Sequence, residues 1–351
     1  MKILVLSKYS RSGASSRLRM LQYFAFLREQ GVEVLTQELF DEEYIQALYK
    51  KKSRVFLIIK LFFVRFLFLI RKPRCDVIWV EKEIFPWMPY FVERFFFLWL
   101  QVPYVLEYDD AIFHSYDLNK NHLIRFLLRN KHPQLIKSAK AVIAGNKYLV
   151  DFAMRAGCRS VRRIPTVVEA SRYQPENNLN QTVVVGWIGS PSTVRYLDIV
   201  KENLVKLSKL YDFEFRVLGA FVDWKDLNVK CIPWDERTEV AEIQKFDIGI
   251  MPLVDSTWEK GKCGFKIIQY MACGKPAVVS DVGCNEEIVL DQKTGFLVHT
   301  PAEWDFALAT LITDVKLRQR FGSQGRQRFE RFYSYESTRE QVLEVLLEAA
   351  R

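Results

Sequence analysis

Trp258–Val289 reads WEKGKCGFKIIQYMACGKPAVVSDVGCNEEIV. It compresses a glycine loop, a short helix, a proline-led strand and a second glycine loop into one run. Lys262, Lys266 and Gln269 stand at i, i+4 and i+7, so one helix face carries all three. Phe265, Ile268, Met271 and Ala272 fall on the apolar side. The helix starts just after Gly261 and Gly264. A helix start offers free N–H groups and the positive end of the dipole, which suits a phosphate-bearing ligand. Lys262, Gly264, Lys266 and Gln269 are the first candidate ligands. The competing reading is an amphipathic helix whose lysines are merely solvated.

The 351 residues suffice for about two domains, and 49% hydrophobic with 14% aromatic residues can fill two cores. Six cysteines show no paired metal spacing and no disulfide framework, which fits a reduced cytosolic protein. The four histidines are scattered, so no metal site is expected. Met1 leads straight into KILVLS without a signal peptide. The net charge of +9 is unevenly placed. Residues 1–170 carry 28 Lys and Arg against 16 Asp and Glu, whereas the remainder carries 23 against 26. A basic first half implies a polyanionic partner. No zinc-finger or RNA-binding signature supports nucleic acid, which leaves an anionic membrane surface.

Read from its start, the chain opens as a nucleotide-type α/β domain: strand 2–6, the loop SKYSRSGASSRLR, and a helix over 15–29 capped by Ser15 or Ser16. Gly13 lies where the backbone turns tightly or approaches a ligand. No full GxGxxG is present. Arg17 and Arg19 begin the helix, where a cation opposes the dipole, so an anionic ligand competes with simple solvation. A second strand spans 32–37. Residues 54–72, RVFLIIKLFFVRFLFLIRK, then form a helix too short to span a bilayer, which needs about 20 apolar residues. On a helical wheel Arg54, Arg65 and Lys72 cluster, as do Lys60 and Arg71. A broad apolar face beside a basic arc marks an interfacial helix on anionic lipid, or else a crossover helix covering the sheet. Strands follow at 76–80, 103–107, 141–144 and 161–164. The fourth strand ends in YDDAIFH. Asp109, Asp110 and His114 therefore sit at a carboxyl strand end, where α/β proteins place ligands, unless they only cap a turn.

Residues 165–181, PTVVEASRYQPENNLNQ, read as the linker. This divides the chain into a first domain over 1–168, joined by a returning helix over 335–351, and a second over 181–334. The second opens with VVVGWIGSPSTVRYL, again strand, loop and helix. Ser190, Ser192 and Thr193 are caps and candidate phosphate ligands. Strands at 213–218, 229–232, 247–251, 277–280 and 296–298 complete a sheet, and amphipathic helices end the chain.

GKCGFKIIQYMACGKPAVVSDVGCNEEIV resembles the donor site of family 4 glycosyltransferases, and SGASSRLRMLQYFAFLREQGVEV with YDDAIFH resembles a bacterial branch that builds surface polysaccharides. The resemblance covers nearly the whole chain. It implies the α/β GT-B fold, with two Rossmann-like domains facing a cleft and a last helix crossing back to the first. It also implies retaining sugar transfer from a nucleotide-sugar donor without a metal. The family's donor helix carries two glutamates eight positions apart. Their counterparts here are Gly261 and Gln269, so both carboxylates are missing. Lys266 matches the family's phosphate-side lysine, with Lys262 beside it. Gly13 matches the glycine facing the donor phosphates, and Asp110 the aspartate nearest the reacting centre, with Asp109 replacing its histidine neighbour. Asn285 and Glu287, in the loop after Gly283, correspond to readers of sugar hydroxyls. Trp234 or a neighbouring backbone group is expected at the base.

These features imply transfer of a sugar to a membrane-held acceptor, such as a polyprenyl-diphosphate-linked saccharide, at the inner face of the cytoplasmic membrane. Asp110, Asp109 and Lys266 are the expected catalytic groups, with Arg17 and His114 on the acceptor side. Arg54, Lys60, Arg65, Arg71 and Lys72 are expected toward the lipid. Two rival readings are a nucleotide-sugar epimerase of the same fold and a non-catalytic scaffold, the latter motivated by the missing glutamates.

Overall fold

The strand segments VIWVE, AVIA, VVVGWI, IGIM and AVVS are nearly continuous apolar runs. Such runs suit parallel strands buried on both faces. The computed structural model describes residues 1–49, 53–176 and 182–351. It divides into two compact units, Met1–Thr166 with Arg339–Arg351, and Val167–Thr338.

The first unit contains β1 (Lys2–Tyr9), β2 (Glu33–Phe40), β3 (Val77–Glu81), β4 (Tyr104–Tyr108), β5 (Ala141–Ala144) and β6 (Val161–Arg163). They form one parallel sheet in the order β2-β1-β3-β4-β5-β6. The second unit contains β7 (Val183–Ile188), β8 (Phe213–Leu218), β9 (Val229–Ile232), β10 (Ile248–Met251), β11 (Ala277–Ser280) and β12 (Gly295–Val298). Their parallel order is β12-β11-β10-β7-β8-β9, the doubly wound arrangement. The strand order reverses between β1 and β3 in one sheet and between β7 and β10 in the other. A crevice opens at such a reversal, outside the carboxyl strand ends, because the flanking connections leave in opposite directions.

Three local expectations change. The helix expected over 15–29 is broken at Met20 (φ −130°, ψ −59°) into Ala14–Arg19 and Phe24–Glu29, with a 3-10 turn at Leu21–Tyr23 between them. Gly13 takes the N-cap position, because the hydroxyls of Ser15 and Ser16 are drawn to Asp109 and Glu81. The expected linker is in large part ordered within the second unit. Val167, Val168 and Tyr173 are buried, Tyr335 N–H donates to Val168 O at 2.9 Å, and Arg326 Nη2 reaches Ala170 O at 3.3 Å. The remaining linker positions, 177–181, lie outside the described residues.

The third change concerns the Val55–Ile70 helix. Leu61 and Leu69 are buried, with Leu61 packed on Leu39 and Phe40 of β2, so this helix covers the sheet. Arg65 belongs to that buried side and not to the lipid-facing basic arc. It is fully buried, and its guanidinium donates to Gln37 Oε1 at 2.5 Å, Ser7 O at 2.6 Å, Gln37 O at 2.7 Å and Ile84 O at 3.2 Å. A buried arginine is tolerated only when its donors are satisfied, and here strand-end carbonyls satisfy them. The opposite side exposes Phe56, Ile59, Phe63 and Val64, with Lys60, Arg71 and Lys72 also in solvent and Arg54 half-exposed. The Tyr90–Leu100 helix packs alongside through a Phe66–Phe96 edge contact at 5.6 Å, and exposes Phe91, Phe95, Leu98 and Trp99. Among the described residues no helix is long and apolar enough to cross a membrane.

The last helix, Tyr335–Ala350, contributes its final turns to the first unit. Val342, Val345, Leu346 and Ala349 are buried, and the Arg339 guanidinium lies 4.9 Å over the Phe26 ring.

Candidate functional site

The first unit gathers charge at the carboxyl ends of β1, β3 and β4, beside its strand reversal. Lys82, just past β3, adopts a left-handed backbone (φ 66°) and is buried. Its ammonium lies 2.6 Å from Asp109 Oδ1 and donates to Ser15 Oγ at 3.2 Å. Ser15 in turn hydrogen-bonds Asp109. Burial alone would raise the Asp109 pKa, but Lys82 and Ser15 hold it down to about 2. Ser16 Oγ donates to Glu81 at 2.5 Å and accepts from the Tyr9 N–H at 2.9 Å. The segment after β1 is thereby tied to the ends of β3 and β4.

Arg19 is not placed for a ligand. It is buried and pairs with Glu107 at 2.5 Å, and it also donates to Ile164 O at 2.8 Å. Burial pushes the Glu107 carboxyl up to about 7 against the pull of Arg19. Arg17 is buried as well and reaches Arg11 O at 3.3 Å, so the solvated-arginine reading fails for both. His114 uses both ring nitrogens, at 2.8 Å from Asp117 Oδ1 and 2.7 Å from Tyr148 Oη. The two aspartates diverge. Asp109 turns into the ion pair, whereas Asp110 stays half-buried at the loop, accepting from the Ala111 N–H at 2.9 Å. Asp109 anchors the loop through its ion pair with Lys82.

The second unit gathers its candidate groups where β7 and β10 diverge. Gly264 caps the Phe265–Ala272 helix in a left-handed conformation (φ 62°), and a Cβ there would lie 2.2 Å from Ile288 Cδ1. Lys266, half-buried in the first turn, holds its ammonium 4.2 Å from the ring centroid of Trp187, on β7. Burial, with Lys262 as a second cause, lowers its pKa to about 7. The Lys262 ammonium lies 5.8 Å from the Tyr196 ring. Tyr196 and Ser256 both donate to Glu259, which burial would raise but these hydrogen bonds keep below the usual range.

The two-faced helix inferred from residue spacing is more enclosed than that. All of Ile267–Ala272 is buried, Gln269 included. Its Nε2 donates to Tyr173 Oη at 3.0 Å, and Tyr173 donates to Glu239 at 2.8 Å. Trp234, expected near a base, donates its indole N–H to the same Glu239 at 2.7 Å. Asn285 is buried and donates to Ser280 O at 2.8 Å, which ties its side chain to the loop fold. Glu287 is half-buried, and its carbonyl accepts from Arg328 at 2.6 Å and from Tyr333 at 3.1 Å. Ser190 and Thr193 close a turn on each other, with the Ser190 N–H donating to Thr193 Oγ1 at 3.1 Å. The segment that follows, Val194–Ile199, is a 3-10 helix, so the phosphate-binding helix start expected there is absent.

Sequence reasoning missed Lys82 and Trp187. The charges of VIWVEKE sit at a carboxyl strand end just as those of YDD do, and the same rule finds them. A tryptophan between Gly186 and Gly189 on a buried strand marks a ring that the neighbouring backbone makes room for.

Residues 182–314 match the family model described as Glycosyl transferases group 1. D-inositol 3-phosphate glycosyltransferase of Paenarthrobacter aurescens is 28% identical over 127 residues, 32% of this chain and 30% of that protein. The chain thus covers under a third of the length of the curated relatives it first matches. Among solved structures, sucrose-phosphate synthase from Thermosynechococcus elongatus superimposes with a TM-score of 0.71 at 14% identity, over 98% of both chains. HepE from Anabaena, solved in complex with UDP-glucose, gives 0.72 at 16% identity over 99% of both.

Proposed function

We propose that this chain, whose residues 182–314 match the Glycosyl transferases group 1 model and whose two Rossmann-like units share the GT-B fold of the solved glycosyltransferase structures, is a retaining glycosyltransferase acting on a membrane-held acceptor. The donor is a nucleotide-diphosphate sugar. The observation that carries the reading is Lys266, in the first turn of the Phe265–Ala272 helix at the strand reversal, which no carboxylate pairs among the described residues. An ammonium beside free helix-start amides matches a diphosphate.

As the bond between the anomeric carbon and the diphosphate oxygen breaks, its electron pair stays on the leaving group. Lys266 and the amides after Gly264 stabilise that charge. Lys262 adds to the field. The acceptor hydroxyl forms the new bond on the same face, and its proton passes toward Asp110 or the departing phosphate. No metal is needed in this scheme. Arg17 and His114 shape the acceptor side through the loops they brace.

The acceptor is a lipid-linked saccharide, such as a polyprenyl-diphosphate sugar of surface-polysaccharide assembly. The exposed apolar side of Val55–Ile70, rimmed by Arg54, Lys60, Arg71 and Lys72, supports a peripheral position on anionic lipid at the cytoplasmic face. The decisive experiment is Lys266→Ala with labelled nucleotide sugars and a lipid acceptor extract. Transfer is expected to vanish while circular dichroism stays unchanged, and full activity would refute the diphosphate role. The burial of Gln269 against Tyr173 favours a second reading, a non-catalytic assembly subunit. Absence of nucleotide release with every donor, together with tight binding of a partner protein, selects it.

A further inference from the structure

Two buried lysines of this protein have carboxylates, Lys82 with Asp109 and Lys131 with Glu83 and Glu93, and a third, Lys275, donates to the Glu176 carbonyl at 3.2 Å. Lys266 departs from that pattern. Its neighbour is the face of Trp187, a fully buried residue whose indole Nε1 has no hydrogen-bond acceptor. A carboxylate would hold the ammonium charged but would compete with any incoming anion. An aromatic face attracts a cation through its quadrupole and carries no net charge, so it does not compete.

We propose that Trp187 is a positioning residue for donor binding, a neutral platform that fixes the Lys266 amine at the helix start while leaving its charge for a nucleoside diphosphate to complete. The proposal rests on the donor reading above and deepens it.

A consequence is proton linkage. Among the described residues the charged group acting on Lys266 is Lys262, from the same glycine loop, and it disfavours a second cation. From β7 the neutral indole faces the amine. Tyr196, from the 3-10 turn, faces Lys262 and is tied to Glu259. With its pKa lowered to about 7 in the free protein, Lys266 is largely neutral at pH 8 and charged at pH 6. A diphosphate favours the charged amine. Binding at pH 8 therefore takes up close to one proton, and binding at pH 6 takes up almost none.

The test is titration calorimetry of the full chain with UDP and with GDP, at pH 6 and pH 8, in buffers of different ionisation enthalpy. Lys266→Met supplies the background from the nucleotide's own phosphate. Wild type is expected to exceed that background by about one proton at pH 8. Trp187→Leu removes the attraction for the cation. It should weaken nucleotide binding about three- to tenfold and move the midpoint of the pH dependence to lower pH. Trp187→Phe keeps a weaker aromatic face and should restore part of both effects. Melting curves check that each variant is folded, and the Phe variant, of the same chemical class, carries the test if the Leu variant is not. Proton uptake equal to that of Lys266→Met, or a midpoint indifferent to residue 187, overturns the proposal and leaves the donor reading standing. No binding of either nucleotide at either pH overturns both.

Discussion

Asp109 and Asp110 are adjacent, yet their substitutions should have opposite signatures. Asp109→Asn leaves Lys82 buried without its main counter-charge, so equilibrium urea unfolding should report a loss of about 3 kcal/mol. Asp110→Asn should leave stability unchanged and remove transfer activity. A stability loss confined to Asp110 would reverse the two assignments. The pH dependence follows from the same pair. Asp109 is held at about 2 in the folded chain, below its ordinary value, so its stabilising contribution is present above pH 4 and fades between pH 4 and 2. At the donor side, Gly264→Ala forces a left-handed backbone onto a side chain and drives its Cβ toward Ile288. It should cost about 1–3 kcal/mol and abolish the UDP-induced rise in melting temperature. The residue scale is also where sequence reading was weakest. Both aspartates were legible at a strand end, but which one turns inward depends on Lys82, from another strand. Gln269 looked ligand-facing by spacing, because the tyrosine that buries it lies in a stretch whose polar composition suggested a linker.

The strands were legible because apolar runs bounded by glycine and proline are local signals. The Val55–Ile70 helix was half-legible. Its hydrophobic arc was plain, but a wheel cannot tell a buried arginine from a lipid-facing one. Arg65 became buried because carbonyls at the ends of β1 and β2 and just beyond β3 converge on it. The two sides of this helix make separable predictions. Ile59→Asp with Phe63→Asp should reduce co-sedimentation with anionic vesicles by at least tenfold while leaving the melting temperature unchanged. Arg65→Met should do the reverse, destabilising the first unit by about 3 kcal/mol with vesicle binding retained until it unfolds. Vesicle binding unaffected by the double substitution would remove the membrane role from this helix and leave it as a cover for the sheet.

On the scale of the molecule, the first unit is discontinuous in sequence: its fold includes Arg339–Arg351, which the chain reaches only after the whole of Val167–Thr338. Deleting 339–351 should lower the melting transition of the first unit and leave the second, with its UDP-dependent stabilisation, largely intact. The two transitions can be followed by scanning calorimetry, and a uniform loss across both would count against the division. The same discontinuity acts during synthesis. At about 5–20 residues per second, the ribosome needs roughly 10–30 s to pass from the end of β6 to the helix that seals the first unit. Throughout that interval the second unit is still being made, while the nascent first unit exposes the surface that Val342, Val345 and Leu346 will cover. Its sheet, complete in strands but not yet covered by that helix, is then the part of the chain most dependent on chaperones.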